Sequence, residues 1–134
     1  MANKITFDMC RKMTDALVVK GKEMGKSLAI VVADASGCVI SAALMDGYHP
    51  RGIEFASRKA YTAVKMTRTG KEFRALCERD HVTVDDFGDP KLTIFIGSTP
   101  IRDAEGDVIG AVAVSGATSE EDQELSDFAA GVLA

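Results

Sequence analysis

The sequence contains little cysteine, and the pattern of its cysteines excludes two architectures common in small proteins. Three cysteines, Cys10, Cys38 and Cys77, are scattered through 134 residues, and no CxxC pair occurs. An odd count without paired spacing supports neither a disulfide framework nor a structural zinc site. We therefore predict no metal site, and we expect these cysteines to be small buried hydrophobes in a reducing compartment.

The sequence also lacks an excess of positive charge, a secretory signal and a long apolar run. The net charge of −4 argues against a protein that binds nucleic acid through bulk charge. The opening MANKITFD has no basic region followed by an apolar core. No apolar run approaches the roughly 20 residues needed to span a bilayer. We predict a cytoplasmic protein with no nucleic-acid partner and no membrane association.

Length and composition predict one globular domain over residues 1–134. A chain of this length buries about two-thirds of its unfolded surface, which is enough for an ordinary core. Apolar residues make up 46% and charged residues 27%, which is the balance of a globular protein. No linker or low-complexity segment divides the chain.

Apolar periodicity and turn signals predict four helices and about five strands. The helices are predicted from Thr6 to about Met24, from about Arg51 to Met66, from Thr69 to Arg79, and from Thr118 or Ser119 onward. The strands are predicted at 27–33, 38–45, 91–97 and on both sides of a turn at 103–106. Continuous apolar character predicts that both faces of the first hairpin are covered. Hairpins in place of long crossovers predict a mainly antiparallel sheet, hence an α+β domain with helices packed on it.

The helix predicted from Arg51 has a wider apolar arc than a surface helix needs. A core stripe at three- and four-residue spacing comprises Ile53, Ala56, Ala60, Ala63 and Val64, and a further flank comprises Phe55, Thr62 and Met66. We expect either another subunit or a ligand to cover that flank. Lys59 lies at its border, where a lysine can lay its methylenes on apolar surface and present the ammonium at the edge.

The corner between the first hairpin and this helix collects polar residues of several kinds. It contains Asp46, Gly47, His49 and Arg51, and Lys59 follows two turns later. One interpretation is that these are ordinary solvated side chains. The other is a site for a small anion, in which Arg51 and Lys59 supply positive charge, backbone N–H groups near Gly47 point at the ligand, and Asp46 orients it or accepts a proton.

Other candidate sites are weaker. His49 is either an exposed loop residue, a general acid or base, or an axial ligand to a tetrapyrrole metal. His81 lies in an acidic loop whose spacing is not that of an EF-hand. The segment VSGATSEED, which contains Gly116, has the strand–turn–helix shape that can hold an anion. It lacks the GxSxG elbow, so Ser115 is a poor candidate nucleophile.

Three segments together resemble one known family. They are MDG…EFASRKAYTA at 45–63, GSTPIRDAEGDVIGAVAVSGATSEED at 97–122, and the first predicted helix. The chain resembles the GlcG/HbpS family, also called the DUF336 or haem-degrading-domain family, over nearly its whole length. Its MDG-then-KAxTA pattern matches Met45, Asp46, Gly47, Lys59, Ala60, Thr62 and Ala63. Its GG-x-PI pattern matches Gly97, Ser98, Pro100 and Ile101, with Ser98 in place of the second glycine. Its GxxGVSG stretch matches Gly110 and 114–116, with Ala113 where a glycine is usual.

The resemblance implies a fold, a form of assembly and a class of ligand. The fold would be a five-stranded antiparallel sheet flanked by helices, in a profilin-like and PAS-like layout. Members form homo-oligomers, and some bind haem or are associated with diol and glycolate metabolism. The residues of the corner and the matched family patterns together predict ligand contacts at Asp46, Gly47, His49, Arg51, Lys59, Pro100 and Gly116.

Three functions stay open at the level of sequence. The first is an oligomeric accessory protein that binds a small organic anion or a tetrapyrrole such as haem. The second is a cofactor-independent enzyme that moves a proton on a hydroxy- or oxo-carboxylate, with Asp46 or His49 as the base and Lys59 and Arg51 holding the carboxylate. The third is a structural subunit without a ligand. The sequence does not decide whether there is catalysis, nor how many subunits assemble.

Overall fold

The computed structural model describes residues 3–134 as four α-helices and one sheet. The helices are α1 (Phe7–Glu23), α2 (Arg51–Met66), α3 (Gly70–Asp80) and α4 (Ser119–Gly131), and the strands are β1 (Ala29–Asp34), β2 (Val39–Leu44), β3 (Ser98–Arg102) and β4 (Val108–Ser115). A single 3-10 turn occupies Val84–Phe87. No helix within the described range is long and apolar enough to cross a membrane. The α+β class predicted from sequence is confirmed.

The sheet has four antiparallel strands in the order β2-β1-β4-β3, so the expectation of five strands is wrong. The missing strand is the predicted one at 91–97, which forms no strand ladder. Instead, the Thr93 N–H donates to the side-chain oxygen of Thr62 on α2, at 3.0 Å. The segment therefore runs against a helix, and side-chain groups satisfy backbone donors that a neighbouring strand would otherwise bind.

Both hairpins turn on the same side-chain device. Asp34 Oδ1 accepts the N–H groups of Ser36 and Cys38 at 2.9 and 3.0 Å. Asp103 Oδ1 accepts those of Glu105 and Asp107, each at 3.0 Å. An aspartate that bonds backbone two residues on is a common way to hold a turn, and both turns were predicted from sequence.

Helices cover both faces of the sheet. On one face, α1 and α4 pack on a large aliphatic cluster that includes Met13, Leu17, Ile30, Val112 and Leu125. On the other face, α2 lies close to β1 and β4 because alanines meet there, namely Ala56, Ala60, Ala63, Ala33, Ala111 and Ala113. The predicted core stripe of α2 is confirmed at its alanines and at Val64, and Ile53 packs partly buried against it.

The first hairpin is covered on both faces only along β1. That strand is fully buried apart from Asp34, whereas β2 forms an edge of the sheet and exposes Val39, Ile40 and Leu44. Cys38, which precedes β2, is exposed, so the expectation of three buried cysteines is correct for Cys10 and Cys77 alone. The apolar run predicted the strands, but it could not distinguish a central strand from an edge strand.

The second apolar flank of α2 is largely covered by the same chain. Thr62 is buried beneath the segment at 91–97, and Met66 packs on a cluster formed by Phe73, Cys77 and Leu92. The interpretation that a subunit or ligand covers this flank is therefore wrong at Thr62, and at Met66 the same chain provides part of the cover. Phe55 is partly exposed and lies beside Phe95, outside that cluster.

Candidate functional site

A buried ion pair links the middle of α2 to the first turn of α4. Lys59 Nζ lies 3.2 Å from Asp122 Oδ2, and each residue is only 4% exposed. Lys59 Nζ also donates to the carbonyl oxygen of Val114, at 2.8 Å. Lysine and aspartate are rarely this buried unless they are paired. The prediction that Lys59 presents its ammonium at an exposed edge is therefore wrong.

Removal from water shifts both titrations toward the neutral forms. Burial lowers the pKa of Lys59, and the Asp122 carboxylate partly opposes that shift. Burial likewise raises the pKa of Asp122, against the attraction of Lys59 and a hydrogen bond from the Ala117 N–H. Groups perturbed by both desolvation and a specific charge partner are typical of functional sites.

Glycine at position 97 lets the chain pass close to this pair. Gly97 has a φ of +133°, a conformation that other residues rarely adopt. A Cβ there would lie 2.7 Å from the Asp122 Cβ and 3.0 Å from Lys59 Nζ. Any side chain at this position would displace the ion pair, so we assign Gly97 to the architecture of the site.

The ion pair opens into a cleft of about 140 Å³. The charged pair lines it together with the loop that joins β4 to α4, which contributes Ser115, Gly116, Ala117 and Ser119. The remaining wall is apolar and comprises Tyr48, Phe55, Phe95 and Ile96. A cavity of about 150 Å³ in another protein holds one benzene, so this cleft fits a ligand of roughly six heavy atoms.

Ser115 brings an unused hydrogen-bonding group to the cleft. The residue is 3% exposed, and its Oγ has no hydrogen-bond partner among residues 3–134. Buried hydroxyls are normally paired, so one left unpaired at a cavity wall calls for an explanation. The Lys59 ammonium has three N–H donors, of which the described residues accept two. The cleft therefore offers donors to a ligand oxygen.

The structure brings some of the predicted site residues to this cleft. Lys59 and Gly116 line it directly. His49 and Arg51 are exposed and border it through Phe55: the His49 and Phe55 ring centres are 6.5 Å apart, and the Arg51 guanidinium lies 5.8 Å from the Phe55 ring centre. They stand at the mouth of the cleft and not against the ion pair.

Other predicted site residues lie elsewhere. Asp46 is exposed and lines a different cavity beside Lys22 and Lys26, and its carbonyl oxygen accepts a 2.6 Å hydrogen bond from Ser27. Gly47 forms the turn there with a φ of +94°. Pro100 is buried in edge strand β3 opposite Ala111 and does not line the cleft. Ligand contact at these positions stays a prediction from the sequence.

Sequence reasoning missed Asp122, Tyr48 and Phe95. The acids at 120–122 lie in the first turn of α4, where they are suited to the positive end of that helix, and Glu121 also caps it by accepting the Thr118 N–H. An acid one residue further on, facing back toward the strand, was the available signal for Asp122. Within residues 3–134, no three His, Cys, Asp or Glu side chains are arranged to hold a metal ion.

The fold and cleft define an α+β domain with a small polar pocket at the end of its central strand β4. The family model described as "Haem degrading protein HbpS-like" matches residues 5–130. The chain belongs to this HbpS-like family, as its sequence pattern indicated.

Similar proteins cover nearly the whole chain. Protein GlcG of Escherichia coli K12 is 30% identical over 130 residues, which are 94% of this chain and 95% of GlcG. The HbpS double mutant of Streptomyces reticuli is 26% identical with a TM-score of 0.88, covering 100% of this chain and 90% of that one. Klebsiella pneumoniae protein ORFY, of the DUF336 family, is 25% identical with a TM-score of 0.87, covering 98% and 92%.

Proposed function

We propose that the protein is an accessory domain that binds a small oxygen-bearing organic molecule in the cleft over Lys59 and Asp122. The observation that carries this proposal is at Ser115, which lines the cleft and whose buried hydroxyl has no partner among the described residues. A hydroxyl in that position costs about 1–3 kcal/mol of desolvation unless something bonds to it. A ligand oxygen would meet that need.

The size and lining of the cleft restrict the ligand further. Its volume of about 140 Å³ is below the roughly 300–1,000 Å³ of sites that enclose drug-sized molecules. Tyr48, Phe55 and Phe95 form an apolar wall, while Ser115 and Lys59 provide polar contacts on the other side. A molecule of two to four carbons with one or two oxygens fits both features.

The binding proposal is tested by NMR titration of the full chain with short aldehydes, diols and hydroxy acids. Backbone amide shifts are expected at Gly116, Ala117 and Ser119. Ser115→Ala should weaken binding by about 3- to 10-fold, since one hydrogen bond between neutral groups contributes about 0.5–1.5 kcal/mol. Ser36→Ala, in the exposed first hairpin turn, is the control. The proposal fails if no compound shifts these amides, or if both variants bind as tightly as the wild type.

Haem is the second candidate ligand, and the family's description as haem-degrading supports it. A cleft of about 140 Å³ cannot enclose a macrocycle. The surface at its mouth fits one better, because the exposed His49 contacts Phe55, whose ring lies edge-on to Phe95 at 6.1 Å between centres. His49 would supply an imidazole ligand to the iron, and the two phenylalanines would contact the ring.

Haemin titration distinguishes this candidate from nonspecific adsorption. If His49 ligates the iron, the wild type sharpens the Soret band and His49→Ala loses that change. His81→Ala removes the chain's other histidine, which is exposed at the end of α3, and should behave as the wild type. Equal spectra from both variants would contradict ligation by His49.

Self-association is proposed at edge strand β2. The exposed Val39, Ile40 and Leu44 leave apolar surface beside an unpaired strand edge, which commonly associates with another chain. The expectation is that light scattering finds an oligomer that Ile40→Lys dissociates. Val19→Lys, an equally apolar-to-charged change on exposed α1, should leave it intact. A wild-type monomer at all concentrations would refute this proposal.

A further inference from the structure

We propose that Lys59 forms an imine with a small neutral aldehyde or ketone bound in the cleft. This inference rests on the binding function proposed above and names the chemical class of its ligand. It depends on three features of the site: its charge balance, the proton acceptor beside Lys59, and the free Ser115 hydroxyl.

The charges around the cleft favour a neutral ligand over a carboxylate. The positive charge of Lys59 is already balanced by Asp122 at 3.2 Å. The first turn of α4 carries Glu120 and Glu121 as well, which offset the positive end of that helix. A carboxylate in the cleft would face Asp122, and like charges in a desolvated site repel strongly. A carbonyl compound brings an oxygen acceptor without that repulsion.

Lys59 has the surroundings that make a lysine nucleophilic. An amine attacks a carbonyl only when it is unprotonated, and desolvation favours the unprotonated form. Lys59 is almost fully buried and lines the cleft. Its pKa is lowered by burial, and Asp122 Oδ2 lies within reach to accept the proton it releases.

Ser115 supplies the donor that the reaction requires at oxygen. Ser115 lines the same cleft as Lys59, and its buried hydroxyl has no partner among residues 3–134. Negative charge develops on the carbonyl oxygen as the amine attacks, and a hydrogen-bond donor placed there stabilises it.

The step balances within the groups present. The ammonium of Lys59 gives one proton to Asp122, and Nζ then bonds to the carbonyl carbon to form a carbinolamine. The proton held by Asp122 returns as the hydroxyl leaves as water, and a protonated imine remains. No oxidant or reductant takes part. The nitrogen is positively charged in the starting ammonium and again in the protonated imine, so the Asp122 carboxylate has a cationic partner at the start and at the end of the step.

Reductive trapping tests this in the intact wild-type chain. The protein is incubated with substoichiometric propionaldehyde and sodium cyanoborohydride near neutral pH, and alkylated lysines are quantified by peptide mass mapping. Lys65, exposed in the last turn of α2, is the internal reference. Lys59 lies in the cleft beside a proton acceptor and Lys65 does not, so Lys59 should be alkylated several-fold more than Lys65.

A variant that keeps the ion pair but removes the Ser115 hydroxyl tests whether the cleft itself promotes the reaction at Lys59. Ser115→Val removes the hydroxyl and should reduce alkylation at Lys59 to the level of Lys65, without changing the other lysines. Alkylation of Lys59 no greater than that of Lys65 in the wild type overturns the imine. Propionaldehyde that shifts the amides of Gly116 and Ala117 without trapping overturns the imine and leaves the binding function standing. Absence of those shifts with every compound overturns both.

Discussion

The molecule contains two units with the same order of elements. Each unit consists of a strand, an aspartate turn, a second strand and a helix. The first comprises β1, β2 and α2, and the second comprises β3, β4 and α4. Their turns match closely: the fourth turn residues, Gly37 and Gly106, have φ of +84° and +86°. In each, the aspartate side chain accepts two backbone N–H groups. Local sequence reproduces the same hairpin turn twice.

The units differ in where their second strands lie and in how their helices begin. Strand β2 is an exposed edge and leads through an open corner into α2, which has no side-chain cap. Strand β4 is central and buried, and it leads through Gly116, Ala117 and Thr118 into α4, which has a capping box. The unpaired Ser115 hydroxyl and the buried Asp122 carboxylate both lie where α4 of the second unit begins.

The cleft belongs to neither unit alone. Lys59 comes from the middle of α2, while Asp122 and Ser115 come from the second unit. Both helices contact β4, although they lie on opposite faces of the sheet. The ion pair therefore reaches around the end of that strand, where the Val114 carbonyl completes it. The two units share the same hairpin and helix, but the cleft forms only where α2 of the first unit meets β4 and α4 of the second.

The largest effect is expected from separating the two units at their ion pair. Lys59→Met leaves Asp122 buried without a partner, which costs about 3–5 kcal/mol of the free energy of unfolding. Lys65→Met removes an exposed lysine from the same helix. It loses only the contact of the ammonium with the Tyr61 ring, so it should lower the free energy of unfolding by at most about 1 kcal/mol. Urea denaturation measures both. The double variant Lys59→Met/Asp122→Leu should recover most of the loss; equal stability of the two single variants would contradict this account.

The next effect depends on pH and tests the electrostatic link between the units. Asp122 holds the pKa of Lys59 up against burial, so Asp122→Asn should lower that pKa further from its ordinary value of about 10.4. Between the lowered pKa and about 10.4, the unfolded chain binds more protons than the folded chain. The free energy of unfolding therefore rises with pH across this window, by about 1.4 kcal/mol per added unit of pKa difference.

Urea denaturation of Asp122→Asn at a series of pH values checks the sign. In the wild type, the Ala117 N–H donates to Asp122 Oδ1 at 3.0 Å. The asparagine side chain keeps an oxygen that can accept this hydrogen bond. The free energy of unfolding of the variant should be below that of the wild type, and this difference should become smaller as the pH rises. A deficit that is constant from neutral to alkaline pH would show that lost packing, and not the charge of Lys59, explains the effect.

A smaller loss of stability is expected when the aspartate of either hairpin turn is removed, and the two losses can be compared directly. Asp34→Ala and Asp103→Ala each remove a side chain that accepts two backbone hydrogen bonds. Each should lower the free energy of unfolding by about 1–2 kcal/mol. The Asp103 variant also loses an exposed ion pair to Lys4, worth at most about 1 kcal/mol. Asp15→Ala, at an exposed position of α1, is the control, and an effect confined to one hairpin would break the equivalence.

The smallest effect tests the cap that one unit has and the other lacks. The Thr118 hydroxyl accepts the Glu121 N–H at 3.2 Å. Removing it in Thr118→Ala should cost about 1 kcal/mol. Thr118→Ser keeps the hydroxyl and should stay close to wild type in thermal denaturation. If the serine variant loses as much stability as the alanine variant, the methyl group and not the cap is responsible.

Helix limits and turns were predictable because short-range chemistry sets them. Thr6, Thr69 and Thr118 cap their helices as their positions before apolar periodic segments indicated. The exposed Glu54–Arg58 pair, whose four-residue spacing places both side chains on one side of α2, forms at 3.0 Å. Each of these features depends on residues within one turn of one another.

The segment at 91–97 and the position of Lys59 could not be predicted in the same way. KLTIFIG has the composition of a strand, but a strand also needs a partner, and this segment meets Thr62 on α2 instead. On a helical wheel Lys59 lies at a boundary between apolar and open surface. Whether that boundary is wet or buried depends on Asp122, which is 63 residues away in the chain.

The sequence by itself determined the class of fold, the helices, both aspartate turns and the family, because periodicity, caps and turn chemistry act over a few residues. Only the tertiary structure decided that the sheet has four strands, that β2 is exposed and that Lys59 is buried against Asp122. The physical reason is that burial and charge pairing depend on which distant segments exclude water together. Local patterns of polarity do not specify those segments.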